Sequence, residues 1–327
     1  MNEDKEFLLP VVVATLIVIM FCLVMLTKGI NSENYKISVI VSNSSEGRWV
    51  PFKAGLEQAA KDNGIELDYV YTDYIDNIQE EASMINSRIS QGADGVIVEF
   101  CLSEGIHEMV SSISARVPVE FVVTNVDADV DVRGNHATVA PDNYAVGRAI
   151  GNELAIDLKG RTEEGRVKIG IVSGNQKQSG MQQRLRGFMD ATENLDPEIV
   201  WNVSESRYTS EDLEKADTKN PAEIIVCLDN NSMEKAVDYC TKGDSGDKRL
   251  YGSGCSEKLV YYIDSGLIDS MILTNDFSMG YQSLSDLALK LQNRTSVLED
   301  REIGFGVVNK ENLFGEDNQQ ILFPIVR

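Results

Sequence analysis

From Phe7 to Thr27 the chain runs without a charge, between Glu6 and Lys28, and some 300 residues of mixed polar and apolar sequence follow. At 1.5 Å per residue, about 21 residues of helix span roughly 31 Å, enough to cross the apolar core of a bilayer once. The run is longer than a usual signal-peptide core, and no small-x-small cleavage pattern follows it. Cys22 is preceded by Phe21, where lipoprotein processing needs a small residue, so Cys22 reads as apolar filler. The expectation is an uncleaved single-pass anchor over about 7–27, inside a tail, span and tether of residues 1–34. The head carries Lys5 against Glu3, Asp4 and Glu6, with Lys28 on the other flank, so charge alone leaves the orientation open.

Composition bounds the remainder. With 327 residues and 43% hydrophobic content the chain can bury one large core or two ordinary ones. A formal charge of −22 and the lack of any basic stripe exclude a nucleic-acid binder, because a phosphate backbone is held by clustered Lys and Arg. Cys101, Cys227, Cys240 and Cys255 each sit in or beside an apolar stretch without paired spacing, which points to buried thiols rather than a disulfide framework or zinc site.

Short apolar runs then alternate with helical patterns. Lys36 to Val41 reads as a buried strand, and Pro51 to Asn63 as a helix stopped by Gly64. Strands are predicted at Glu66–Tyr71, Gly95–Glu99 and Val119–Thr124, with helices at Ile78–Gln91 and Glu104–Ala115 between them. A second series follows, with strands at Val167–Val172, Ile199–Val203, Ile224–Leu228 and Arg249–Gly252. Its helices are predicted at Ser179–Thr192, near Glu211 and at Ser232–Cys240. Two β-α-β series imply two doubly wound parallel sheets. No dinucleotide fingerprint, phosphate loop or nucleophile elbow appears, and His107 and His136, the only histidines, form neither a triad nor a metal site. No cofactor is expected, and the chain offers no constellation for an enzyme.

The soluble part resembles the type I periplasmic sugar-binding proteins, the ribose- and galactose-binding group whose core is shared with lactose-repressor-type regulators. The resemblance covers roughly residues 35–313. It is carried by Ile37–Ser42, by Phe52-Lys-Ala-Gly-Leu-Glu-Gln-Ala-Ala60 with Gly64, and by Ile89-Ser-Gln-Gly-Ala-Asp-Gly-Val-Ile-Val98. Further carriers are Val139-Ala-Pro-Asp-Asn-Tyr-Ala-Val-Gly147, Gln183-Arg-Leu-Arg-Gly-Phe188, Met279-Gly280 and Gly306–Asn312. A membrane span stands where the repressor branch has its DNA-binding module.

The resemblance implies two lobes joined by three crossings, with solute in the cleft between them. The N-lobe maps to 35–142 plus 275–306 and the C-lobe to 143–274 plus 307–327. Carried over position by position, the ligand set is Ser44, Arg48 and Trp49 after the first strand, then Asn125 and Asp142. The C-lobe adds Gln182, Tyr208, Asp229 and Asn230, with Thr274 and Asn275 at a crossing. Trp49 is a stacking platform or packs under the next helix; Asp142 is a contact or a hinge residue; Arg184 matches a structural arginine. These residues suit a sugar or related polyol, while Arg48 and Lys53 leave an acidic sugar open. The implied setting is a single-pass cell-membrane protein with its soluble domain extracytoplasmic, closing on ligand and signalling to a partner such as a histidine kinase. The alternative is the binding subunit of a sugar ABC transporter, docking on its permease.

Overall fold

The apolar runs form strands because Val and Ile fit a sheet buried on both faces, and each ends in a turn that starts a covering helix. The computed structural model describes residues 15–20, 35–126, 135–159, 165–204, 207–242 and 247–322. Residues 15–20 are helical, and the rest of the predicted span 7–27 lies outside the described residues. Among the described residues no helix is long and apolar enough to cross a membrane. Residues 36–327 form one unit.

The first lobe begins with β1 (Lys36–Ile40), α1 (Trp49–Asn63), β2 (Glu66–Tyr69), α2 (Ile78–Ser90), β3 (Gly95–Val98), α3 (His107–Ser114), β4 (Val119–Val122) and β5 (His136–Pro141). The second contains α4 (Asn143–Asp157), β6 (Lys168–Ser173), α5 (Ser179–Thr192), β7 (Glu198–Ser204), α6 (Ser210–Lys219), β8 (Ile224–Cys227), α7 (Asn230–Thr241), β9 (Arg249–Ser253), α8 (Glu257–Ser265) and β10 (Ser270–Thr274). The chain then returns through α9 (Asp276–Gln292) and β11 (Arg301–Ile303) before ending in β12 (Phe305–Val308) and α10 (Glu316–Leu322). Gly64 closes α1 at φ 66°, a left-handed position that costs glycine little, and Asn77 caps α2 by accepting the N–H groups of Gln79 and Glu80.

The first sheet has the order β11-β5-β4-β3-β1-β2 and is parallel throughout. The second has the order β12-β10-β9-β8-β6-β7 and is parallel except for β12, which runs antiparallel to β10 at the edge. In the first sheet, Ile37 and Val39 pack with residues of α1 and α9, whereas Ile40, Val96 and Val98 pack on the other face with Ile85 of α2 and Val110 of α3. Both faces of the second sheet are covered in the same way, by α4 and α5 on one side and α6, α7 and α8 on the other.

Three crossings join the lobes side by side. The chain passes from β5 to α4 at Pro141–Asp142, from β10 to α9 at Asn275, and from β11 to β12 at Gly304. Ile303 pairs with Pro141 in the first sheet, Thr274 pairs with Phe305 in the second, and Asn275 N–H donates to Gly304 O at 3.1 Å. Phe305 and Gly306, placed in the N-lobe range by the sequence reading, pair with the second sheet instead, because the turn at Gly304 comes two residues earlier.

In each lobe two helices approach backbone to backbone. A Cβ on Gly55 of α1 would lie 2.1 Å from Phe277 O, and one on Gly280 of α9 would lie 2.1 Å from Phe52 O. The α4/α5 pair repeats this: a Cβ on Gly147 would lie 2.0 Å from Arg184 O, and one on Gly187 would lie 2.1 Å from Tyr144 O.

Candidate functional site

Loops at the C-terminal ends of the parallel strands face one another across the lobe boundary, the usual place for a ligand in open α/β sheets. They enclose a cavity of about 110 Å³ lined from both lobes. That is room for several waters or one compact solute.

The floor on the first lobe is a closed charge network. Arg48 donates to Glu99 through Nη1 at 3.2 Å and Nη2 at 3.0 Å, and its Nε donates to Glu46 at 2.9 Å. Burial opposes its charge, but the two carboxylates outweigh burial and raise its pKa further. The guanidinium lies 3.9 Å over the Trp49 ring. Trp49 is 1% exposed, packs against Phe52, and donates Nε1–H to Ser42 O. It borders the cavity while belonging to the core, and Arg48 covers one ring face. Lys53 donates to Ser44 O and sits over Tyr69, so neither cation considered for an acidic sugar is free.

From the second lobe comes Arg184, expected only as a structural arginine, in place of the Gln182 carried over as a ligand residue. Gln182 is exposed and donates to Gln176 O, outside the cavity. Arg184, two residues on, is 5% exposed and lines it. Its Nε donates to Asn143 Oδ1 and its Nη1 to Leu228 O, both at 2.8 Å. Among the described residues it has no ion pair. Burial pulls its pKa down, with Asp229 and Asp276 opposing that pull. Positions 180, 184 and 187 lie on one helical face against α4, and this spacing was the signal for Arg184. Asp276 is the acidic counterpart. It accepts from Thr274 Oγ1 at 2.7 Å and from Cys255 Sγ at 3.1 Å, and burial pushes its carboxyl up.

Other predicted residues are present but committed to scaffolding. Asp229 caps α7, accepting from Ser232 N–H at 3.0 Å, and also accepts from Gly174 N–H at 2.6 Å, tying two cleft loops together. Asn230 accepts from the N–H groups of Cys255 and Ser256 and donates to Glu234. Tyr208 lines the cavity with its hydroxyl on Ser232 and Lys235 over its ring. Thr274 lines it through its bond to Asp276.

Four predicted residues besides Gln182 fall elsewhere. Ser44 is buried and bonds Thr72 beneath the loop. Asn125 and Asp142 border a separate open groove, and Asp142 caps α4. Asn275 caps α9 by accepting from Ser278 N–H. The residue that faces the cavity after β4 is Val123, held at φ 71° with Thr124 N–H donating to Val122 O. A β-branched residue at positive φ stores strain, on the order of 1–3 kcal/mol. Asn143 holds the turn by donating to Val123 O at 2.9 Å while accepting from Arg184.

The lobes also touch directly. Asn175 Nδ2 donates to Cys101 O at 2.7 Å, Gln178 Nε2 to Phe100 O at 2.8 Å, and Gly180 N–H to Thr124 Oγ1 at 2.8 Å. On another part of the rim Asn231 donates to the Tyr74 hydroxyl and Arg207 pairs with Asp76. The cleft is closed around its cavity.

Solved structures share this architecture. A carbohydrate transporter solute binding protein from Agrobacterium radiobacter, in complex with D-arabinose, aligns over 89% of this chain and 100% of its own with TM-score 0.79 and 17% identity. A glucose-galactose binding protein from Geobacillus stearothermophilus aligns over 86% and 99% with TM-score 0.73 and 20% identity. A Caulobacter myo-inositol binding protein bound to myo-inositol aligns over 89% and 98% with TM-score 0.74 and 17% identity. No curated protein sequence matches the chain. The model of the periplasmic binding protein domain matches residues 37–295, most of the two lobes and the return through α9, and the chain therefore belongs to the periplasmic binding protein family.

Proposed function

We propose that this protein binds a neutral monosaccharide or related polyol in the interlobe cavity and closes on it without performing chemistry. The observation that carries the reading is the contrast between the two arginines. Arg48 is neutralised by Glu46 and Glu99, whereas Arg184 and Asp276 face the same cavity without a contact ion pair among the described residues. A donor fork and an acceptor on opposite walls match the dual character of a sugar hydroxyl. Four carboxylates, Glu46, Glu99, Asp229 and Asp276, line the cavity against two guanidiniums, so a further anion meets net repulsion. The structural neighbours hold arabinose and myo-inositol, both uncharged, which supports the same class.

A thermal-shift panel tests this on the full chain. An uncharged pentose, hexose or inositol at a hundredfold excess over its Kd is expected to add about 2.7 kcal/mol, a rise on the order of 4–5 °C. The corresponding uronate is expected to bind at least about tenfold more weakly. A panel with no responding sugar would overturn the solute class, and a uronate binding best would overturn the charge argument.

The apolar segment 7–27, lacking a cleavage or lipidation signal, supports an uncleaved membrane anchor with the lobes outside. The tether from Thr27 to Asn34 reaches at most roughly 27 Å, so the lobes work on partners in their own membrane. In the favoured reading closure presents a changed surface to a sensor such as a histidine kinase. The alternative is delivery to an ABC permease, favoured by the transporter assignment of the Agrobacterium neighbour. The protein is expected to keep its N-terminus and stay with membranes after carbonate washing; a soluble form starting near Gly29 would refute the anchor.

A further inference from the structure

Glu81 lies on α2, behind the cavity wall rather than in it. It is 0% exposed, its Oε2 accepts the backbone N–H of Cys101 at 3.1 Å, and its Oε1 has no partner among the described residues. Cys101 belongs to the loop after β3 that the other lobe grips. Asn175 holds its carbonyl, Gln178 holds that of Phe100, and Ser103 exchanges bonds with Lys177 O and Ser179 N–H. One residue therefore carries a buried carboxyl on its N–H and the opposite lobe on its C=O.

We propose that Glu81 is a positioning residue for closure, whose protonation sets the loop 99–103 so that the neutral form favours the closed cleft. This rests on the binding-protein reading above, but concerns a residue that touches no solute. Burial is the main force on the carboxyl and pushes it up to about 7; the Cys101 N–H opposes this and Glu99 adds to it. The groups facing it are the Cys101 thiol, itself pushed up by burial, and Glu99 at the end of β3, which Arg48 occupies. Asp76, in the loop before α2, acts on the Cys101 thiol and is paired with Arg207.

The sign follows from linkage. The folded value lies above the ordinary glutamate range, so stability associated with the neutral carboxyl is full at acid pH and is lost as pH rises through about 7. Ionisation places an unpaired anion behind Glu99. Opening frees the loop 100–103 from the other lobe and lets water reach the charge, so the closed form holds its proton to higher pH. Closure is thus favoured at about pH 6 over about pH 8. Glu120, a second fully buried acid with neither oxygen bonded among the described residues, stands among Asp286, Asp300 and Arg301. Its titration affects overall stability, so the readout must be local to the cleft.

Three amides report closure directly: Ser103 N–H on Lys177 O, Ser179 N–H on Ser103 Oγ, and Gly180 N–H on Thr124 Oγ1. Their protection in the full chain, held in lipid nanodiscs without added solute, is measured by hydrogen exchange corrected for intrinsic rates. It is expected to fall about fivefold or more between about pH 6 and 8, and to stay level in Glu81→Gln, which keeps the acceptor for Cys101. Asn175→Ala, which cuts the other lobe from Cys101 O, is expected to flatten the same profile and decides the matter where Glu81→Gln fails to fold. Level protection in the parent, or a parent-like slope in either folded variant, overturns the proposal. With no solute present, a failed sugar panel leaves this outcome readable.

Discussion

Arg184→Ala is expected to weaken solute binding by more than about a hundredfold, because two effects fall on one side chain. Hydrogen bonds to charged groups are worth about 1.5–3 kcal/mol each, and the free edge of this guanidinium is the unneutralised donor at the cavity. Truncation also strands Asn143 Oδ1 and Leu228 O and leaves Asp229 and Asp276 without the cation that opposes them. Each stranded buried acceptor costs about 1–3 kcal/mol, so the alanine variant is expected to melt lower as well. Arg184→Lys separates recognition from charge. It keeps a cation between the two carboxylates but loses the planar fork, and is expected to bind about tenfold or more weakly while melting closer to the parent. Calorimetric titration with a sugar identified by the panel measures both. A lysine variant that binds like the parent would show that charge alone, and not the fork, selects the solute.

Much of the fold was legible because its determinants are local. Strand periodicity, the stop at Gly64 and the length of α5 follow from residues adjacent in sequence, and the helix predicted at Ser179–Thr192 is found with those bounds. Several motifs that carried the resemblance turn out to be packing devices: Gly55, Gly147, Gly187 and Gly280 sit where two helices meet backbone to backbone. Such positions tolerate no side chain whatever the ligand, so they transmit the fold and say little about the solute. The cleft is different because a loop residue's direction depends on the turn that holds it. Arg48, Trp49, Tyr208, Asp229, Asn230 and Thr274 do reach the cavity. Asn125 does not, since the reversal at Val123 ends β4 earlier than the apolar run suggests. Asp229 follows strand β8 and caps α7, so its oxygens are taken by backbone and Ser232 before any solute arrives. Arg184 was visible in principle, because the helical face that includes Gly187 must also include it.

Gly187→Val is expected to prevent folding or to lower stability by about 4–5 kcal/mol, and the graded series through Gly187→Ala shows why. The obstacle is the first carbon of any side chain: a Cβ at this position would lie 2.1 Å from Tyr144 O and 2.9 Å from Arg148 N, both backbone atoms of α4. No rotamer change relieves a contact with backbone, so the two helices must separate, and the core between Phe188, Val146 and Ile150 opens with them. In an unconstrained helix alanine is better than glycine by about 1 kcal/mol, so any loss in the alanine variant comes from the crossing itself. Valine adds two methyl groups to the same gap and a β-branch that the helix disfavours. The damage reaches the cleft through two links. Arg184 O is the atom that a Cβ on Gly147 would meet, and Asn143 at the start of α4 holds both Arg184 and the Val123 turn. A folded Gly187→Ala protein is therefore expected to show both a lower Tm and weaker solute binding, by melting and titration on the same sample. An alanine variant as stable as the parent would mean that α4 and α5 do not meet as closely as these distances require.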